Sequence, residues 1–308
     1  MRRWTLAILL LLAGPGFASA ACETVFGVGN WVGCAVNASD GSIECWGTDH
    51  FDLLTDVPAI TGVLSIDGGD DSVCVVESDT SLFCWGCNGC TVVTSMPAGT
   101  GYEFVTPGTA SEACALKTDN SIECWGSNVV SFDVAPPGSS FDQINGDAGT
   151  FCGVLTTGAL SCWGFDFATG VMTEPAGTDY AKADATSEHA CALKDDQSIV
   201  CWGSNTDGKA TAPGGTFLDV AVADTISCGV QTDGDLECWG SDAQGIVTGE
   251  PAGEWVAVKC STATCCAADT SGDIACWGSD TTGIVTGSSG AQCADVASSA
   301  RVVVFGGM

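Results

Sequence analysis

Cysteine and carboxylate are the residues of this chain with the most chemistry to offer. Twenty cysteines stand among 308 residues, with 38 Asp+Glu against 8 Lys+Arg and only two histidines, His50 and His189. Cysteines at this density make either disulfides or metal sites, and the spacing bears on which. Seven of them open a Cys-Trp-Gly triplet, at Cys45, Cys84, Cys124, Cys162, Cys201, Cys238 and Cys276, at intervals of 39, 40, 38, 39, 37 and 38 residues. Each has an upstream partner, Cys34, Cys74, Cys114, Cys152, Cys191, Cys228 or Cys266, ten residues earlier (eleven in the first unit). Two cysteines per unit supply only half of a tetrahedral zinc site. They do suit a bridge across a hairpin, where opposed residues come within disulfide range. Seven intra-unit pairs are therefore expected: Cys34–Cys45, Cys74–Cys84, Cys114–Cys124, Cys152–Cys162, Cys191–Cys201, Cys228–Cys238 and Cys266–Cys276.

The hairpin can be read residue by residue. With Cys228 opposite Cys238, Gln231 faces Asp235 and Thr232-Asp233-Gly234 forms a three-residue loop. The last loop position asks for a left-handed backbone. It holds Gly41, Asn120, Gly158, Gly234 and Gly272, but Thr80 and Gln197 in two units. An apolar run before each upstream cysteine predicts an inner strand. The segment after each triplet, such as Gly278-Ser-Asp-Thr-Thr-Gly-Ile-Val-Thr286, predicts a turn and a short fourth strand. Four short strands repeated seven times predict an all-β, seven-bladed β-propeller of four-stranded blades with one disulfide each. The triplet tryptophans fall on the face opposite the bridge, as core between blades.

Residues 1–20 have the form of a signal peptide: Arg2-Arg3, an apolar run from Leu6 to Ala13, and Ala18-Ser19-Ala20. The expected domain spans 21–308, with a closing partial repeat at 291–308. Removing the leader takes the net charge from −30 to −32. Such acidity argues against nucleic acid and anionic membrane surfaces as partners. The expectation is a secreted or periplasmic monomer. Six cysteines remain, giving the expected pairs Cys22–Cys293, Cys87–Cys90 and Cys260–Cys265, although connectivity does not follow from sequence alone.

Cys191-Ala-Leu-Lys-Asp-Asp-Gln-Ser-Ile-Val-Cys-Trp-Gly-Ser-Asn205 and Cys114-Ala-Leu-Lys-Thr-Asp-Asn-Ser-Ile-Glu-Cys-Trp-Gly-Ser-Asn128 resemble regulator of chromosome condensation repeats, in the cysteine-containing form common in exported bacterial proteins. The resemblance spans about residues 22–290 and implies a seven-bladed propeller that serves as a protein-binding scaffold. It departs from the family after Trp-Gly, where Gly-Gln-Leu-Gly is replaced by Thr206-Asp-Gly-Lys or Ala243-Gln-Gly-Ile.

Catalytic motifs are lacking: there is no Gly-x-Ser-x-Gly, His-Glu-x-x-His or phosphate loop. The expected role is therefore binding or adhesion to an extracellular protein or glycan, not catalysis. The contact face would be the loops before each hairpin cysteine, at the channel mouth. It offers Asn30, Trp31, Asp70, Asp71, Glu112, Asp147, Glu188, His189 and Asp224, with Trp31 as anchor. His189, at a strand start, reads as a surface turn residue. No cofactor is expected. Two alternatives stand: a carbohydrate-active hydrolase or lyase using carboxylates at the mouth, and a structural surface protein binding calcium on loops such as Asp67-Gly-Gly-Asp-Asp71.

Overall fold

The computed structural model describes residues 26–37, 39–87, 89–108, 112–126, 138–165 and 167–293. The expected signal segment, Cys22 and the stretch 294–308 lie outside the described residues. Twenty-one strands form seven antiparallel sheets, each an inner, a middle and an outer strand in chain order. The inner strands are Phe26–Val28, Val63–Gly68, Tyr102–Pro107, Phe141–Asp147, Tyr180–Ala185, Phe217–Ala223 and Trp255–Cys260. Each packs on the inner strand of the next sheet, and the seventh packs on the first, so the sheets close a ring.

Among the described residues each sheet has three strands, not the expected four. The segments after six of the triplets fold instead as turns or single helical turns, Thr91–Thr94 and Ile284–Gly287 being two cases, while 127–137 after the third lies outside the described residues. Their work explains the change. Leu53, Val92, Val171, Ile246 and Ile284 from these segments are completely or almost completely buried. The carbonyls of the first four accept hydrogen bonds from the indole N–H of Trp85, Trp125, Trp202 and Trp277 of the following sheet, at 2.7–3.0 Å. An extended strand would spend those carbonyls on a ladder. Here each plugs the inter-blade seam and satisfies an indole donor that burial would otherwise orphan.

The hairpin register matches the cysteine arithmetic. Cys34 faces Cys45 and Cys228 faces Cys238, with the same pairing in every sheet. The bridged Cα atoms are 3.9–4.1 Å apart in all seven hairpins. One bridge per blade is not the whole pattern. Cys260–Cys265 adds a second bridge to the seventh sheet, between its inner and middle strands, and Cys87–Cys90 closes a short loop after the second. Cys293 is also disulfide-bonded; its expected partner, Cys22, lies outside the described residues. All seven final loop positions adopt positive φ, including Thr80 (68°) and Gln197 (69°).

Candidate functional site

The inner strands line the channel, and their register sorts side chains into layers. Opposite the hairpin cysteines lie Gly27, Asp67, Thr106, Asn145, Asp184, Ala221 and Lys259. Apart from Asp67, which also opens the candidate calcium loop, these residues carry no motif and sit singly inside apolar runs. Asp67, Asn145, Asp184 and Lys259 each stand seven residues before their cysteine, and that shared offset is the signal they carry. Side chains along the inner strands hold neighbouring blades together. Asp184 accepts the Val222 N–H at 2.9 Å, Asp219 accepts the Val258 N–H at 2.8 Å, and Gln143 exchanges two 2.9 Å bonds with the backbone of Ala183. Asp219 also pairs with Lys182, and both are buried. Burial pushes the Asp184 carboxyl up to about 6, opposed by the Val222 N–H and Lys182. Burial likewise raises Asp67, with Lys259 opposing. Lys259, Asp67, Asn145, Asp147 and Asp184 share one cavity in the channel.

The loops between inner and middle strands stand at one end of this channel, and most of the candidate residues meet there. Asn30 spans the ring closure: its side-chain amide donates to Asp70 of the second sheet, and its oxygen accepts the Thr262 N–H of the seventh at 3.0 Å. Asp70 is raised to about 7, first by burial and then by repulsion from Asp71, Asp224 and Glu112, against the Asn30 bond. Asp147 is raised well above the usual carboxylate range by burial and by Asp70, Asp224 and Glu112. Carboxylates from four different sheets thus converge on one mouth. Among the described residues no lysine or arginine bonds Asp70 or Asp147.

The far side of the mouth differs. In the fifth sheet the plug position holds Lys209 in place of an aliphatic residue. Its carbonyl takes the Trp239 indole N–H at 2.7 Å, and its buried ammonium bonds Glu188 at 3.2 Å and the Asp224 carbonyl at 2.7 Å. Glu188 therefore has a cation in place. His189 is corrected: it is no surface turn residue but is completely buried within the middle strand His189–Lys194, its Nε2 2.7 Å from the Ser227 hydroxyl. Burial and Lys209 hold it down to about 3, so it is neutral and offers no contact surface.

Trp31 is half-buried and stacks on His50 with ring centroids 4.4 Å apart. His50 reaches toward Asp71 at 3.7 Å, and Phe51 packs edge-on against His50 at 4.0 Å. Phe51 is 44% exposed and is held at φ 53°, a strained backbone for an aromatic residue. The structure shows Trp31, the expected anchor, as the base of an aromatic group whose outermost member, Phe51, gave no sequence signal. A second exposed aromatic, Phe167, lies after the fourth triplet.

The match to known proteins agrees with this architecture. Residues 181–209 match the regulator of chromosome condensation (RCC1) repeat. The fold is shared with the CRINKLY WD40 ectodomain of the Arabidopsis thaliana receptor kinase ACR4, at 21% identity and TM-score 0.68 over 83% of this chain and 94% of that one. It is shared with Prp20p of Saccharomyces cerevisiae at 14% identity and TM-score 0.62 over 91% and 86%. Residues 181–209 thus carry a regulator of chromosome condensation repeat, in a chain that shares the fold of these propellers. The Physcomitrella patens receptor kinase CR4 ectodomain is a further RCC1-like neighbour, at 22% identity and TM-score 0.66 over 83% of this propeller and 73% of that chain. No curated protein sequence matches the propeller. Among the described residues no helix is long and apolar enough to cross a membrane.

Proposed function

We propose that this RCC1-repeat propeller is an exported binding scaffold whose acidic channel mouth captures a basic segment of a partner protein. The observation that carries the reading is the convergence of Asp70, Glu112, Asp147 and Asp224 beside the Trp31–His50–Phe51 group. A lysine or arginine placed there relieves the repulsion among the carboxylates. The exposed aromatic face adds a cation–π contact, worth about 0.5–1 kcal/mol at an exposed site. Export is supported by the bridged cysteines, which persist in oxidising compartments, and by structural neighbours that are receptor ectodomains. Prp20p, whose structure was described with its binding to Gsp1p and histones, supports protein recognition on this fold.

The test is titration of the purified propeller with a Lys/Arg-rich peptide and with the same peptide bearing Glu in place of its basic residues. Phe51→Ala and Asp70→Asn should each weaken binding of the basic peptide several-fold, and the acidic peptide should not bind. Equal affinity for both peptides rejects the reading. The two alternatives have separate readouts: release of reducing sugar from polysaccharides for a hydrolase, and a chelator-sensitive melting temperature for a calcium-binding surface protein.

A further inference from the structure

Two disulfides touch between the sixth and seventh sheets. Cys228–Cys238 closes the sixth hairpin, and Cys260–Cys265 ties the inner to the middle strand of the seventh. Adjacent strand residues face opposite ways, so Cys265 points away from the hairpin bridge of its neighbour Cys266. Its sulfur lies 3.8 Å from that of Cys228. The sulfurs of Cys228, Cys260 and Cys265 all fall within 4.8 Å of one another. In the other six sheets the position of Cys265 holds Gly33, Val73, Ala113, Phe151, Ala190 and Ser227, so the contact is particular to this seam. Access is unequal. Cys228 and Cys265 are completely buried, whereas Cys260 is half-buried and borders the channel cavity.

We propose that this sulfur cluster is a thiol-exchange site: a small-molecule thiol entering from the channel modifies Cys260, and the bridge migrates to join Cys265 to Cys228 across the two blades. In the first step the external thiolate attacks the Cys260 sulfur. A mixed disulfide forms there, the Cys260–Cys265 bond breaks, and Cys265 leaves as a thiolate. In the second step the Cys265 thiolate attacks the Cys228 sulfur. The Cys228–Cys265 bond forms, the Cys228–Cys238 bond breaks, and Cys238 leaves as a thiolate that takes up the proton released by the incoming thiol. Two disulfides and one thiol enter and two disulfides and one thiol leave, so no oxidant or reductant is consumed. Bond formation closes the sulfur separation from 3.8 Å to about 2 Å. The outcome replaces a bridge inside one hairpin by a bridge between two blades.

The experiment treats the full chain with reduced glutathione, quenches with acid, alkylates free thiols and maps peptides without reduction. Glutathione should appear on Cys260 and the alkyl group on Cys238. The Cys228–Cys238 peptide should be lost in step with the gain of a Cys228–Cys265 peptide. Alkylated Cys265 alongside intact Cys228–Cys238 overturns the proposal. So does survival of Cys260–Cys265 at glutathione levels that open Cys87–Cys90. A Cys260→Ser chain provides a second reading without added thiol, since Cys265 then lacks its partner. Its one free thiol should map to Cys238, and a free thiol at Cys265 rejects the migration. Should that variant fail to fold, the glutathione map of the natural chain decides alone.

Discussion

A carboxylate in this chain behaves according to what it faces. Asp40, Asp79, Asp119 and Asp196 sit in exposed hairpin turns, each held below the usual carboxylate range first by the serine hydroxyl two residues on and then by that serine's N–H. They are turn residues, as Asp in such loops commonly is. Asp70 and Asp147 face burial and one another, and are raised. The sign of the effect follows. A carboxyl whose folded value is about 7, against an ordinary value of 3.8, contributes stability that is complete below about pH 4 and is lost as pH rises through 7. Asp70→Asn should therefore raise the melting temperature at pH 8 and leave it unchanged near pH 4, as scanning calorimetry across that range would show. A variant that melts lower than the natural chain at pH 8 contradicts this. His189 works in the other sense: its value is depressed to about 3, so its contribution is present above pH 6.5 and lost as pH falls toward 3. Ser227→Ala strands its Nε2 in the core and should cost about 1–3 kcal/mol in urea unfolding; a change near zero would mean that another group accepts the contact.

The hairpin is the element that the sequence specified most fully. Its ten-residue cysteine spacing and its final loop position jointly set strand pairing, turn and bridge, because each is a local relation between residues close in the chain. Gln197 is the clearest local cost. It is exposed, held at φ 69°, and its backbone N–H and carbonyl bond Lys194 and Phe217. Gln197→Gly keeps both backbone bonds, relieves a left-handed strain of about 1–2 kcal/mol, and should stabilise by about 1 kcal/mol after glycine's entropy is counted. Chemical denaturation of both chains would check it, and a destabilised glycine variant would show that φ there is not strained. The fourth strand was misread for a related reason. Short apolar segments such as Ile246-Val-Thr have strand character, but the buried Trp277 indole of the following sheet takes the Ile246 carbonyl, and that partner is invisible from the segment itself. The mouth was legible only in part. Loop position placed Asp70, Asp147 and Asp224 together, while Phe51, Lys209 and the channel residues Asp67, Asp184 and Lys259 depend on which blades become neighbours.

At the scale of the ring, every hairpin bridge acts within one blade, so the seams rest on packing, indole bonds and a few side chains. The closure between the seventh and first sheets uses the Asn30 side-chain oxygen, which accepts the Thr262 N–H, and a 2.8 Å bond from the Thr48 hydroxyl to the Thr282 carbonyl. The whole molecule also carries a formal charge of −30, which repels itself in the compact state. Salt screens such repulsion, with a Debye length near 10 Å at about 0.1 M and near 3 Å at about 1 M. The same screening weakens attraction between the acidic mouth and a basic peptide. Stability and binding should then move oppositely as salt rises from about 0.02 M to about 0.5 M. The melting temperature should climb while the affinity for the Lys/Arg-rich peptide falls at least several-fold. Paired thermal melts and titrations on one protein preparation would read both. An affinity that holds constant while the melting temperature climbs would place the docking energy on Trp31, His50 and Phe51 and remove the carboxylates from it, because an aromatic contact with an uncharged segment carries no such salt dependence.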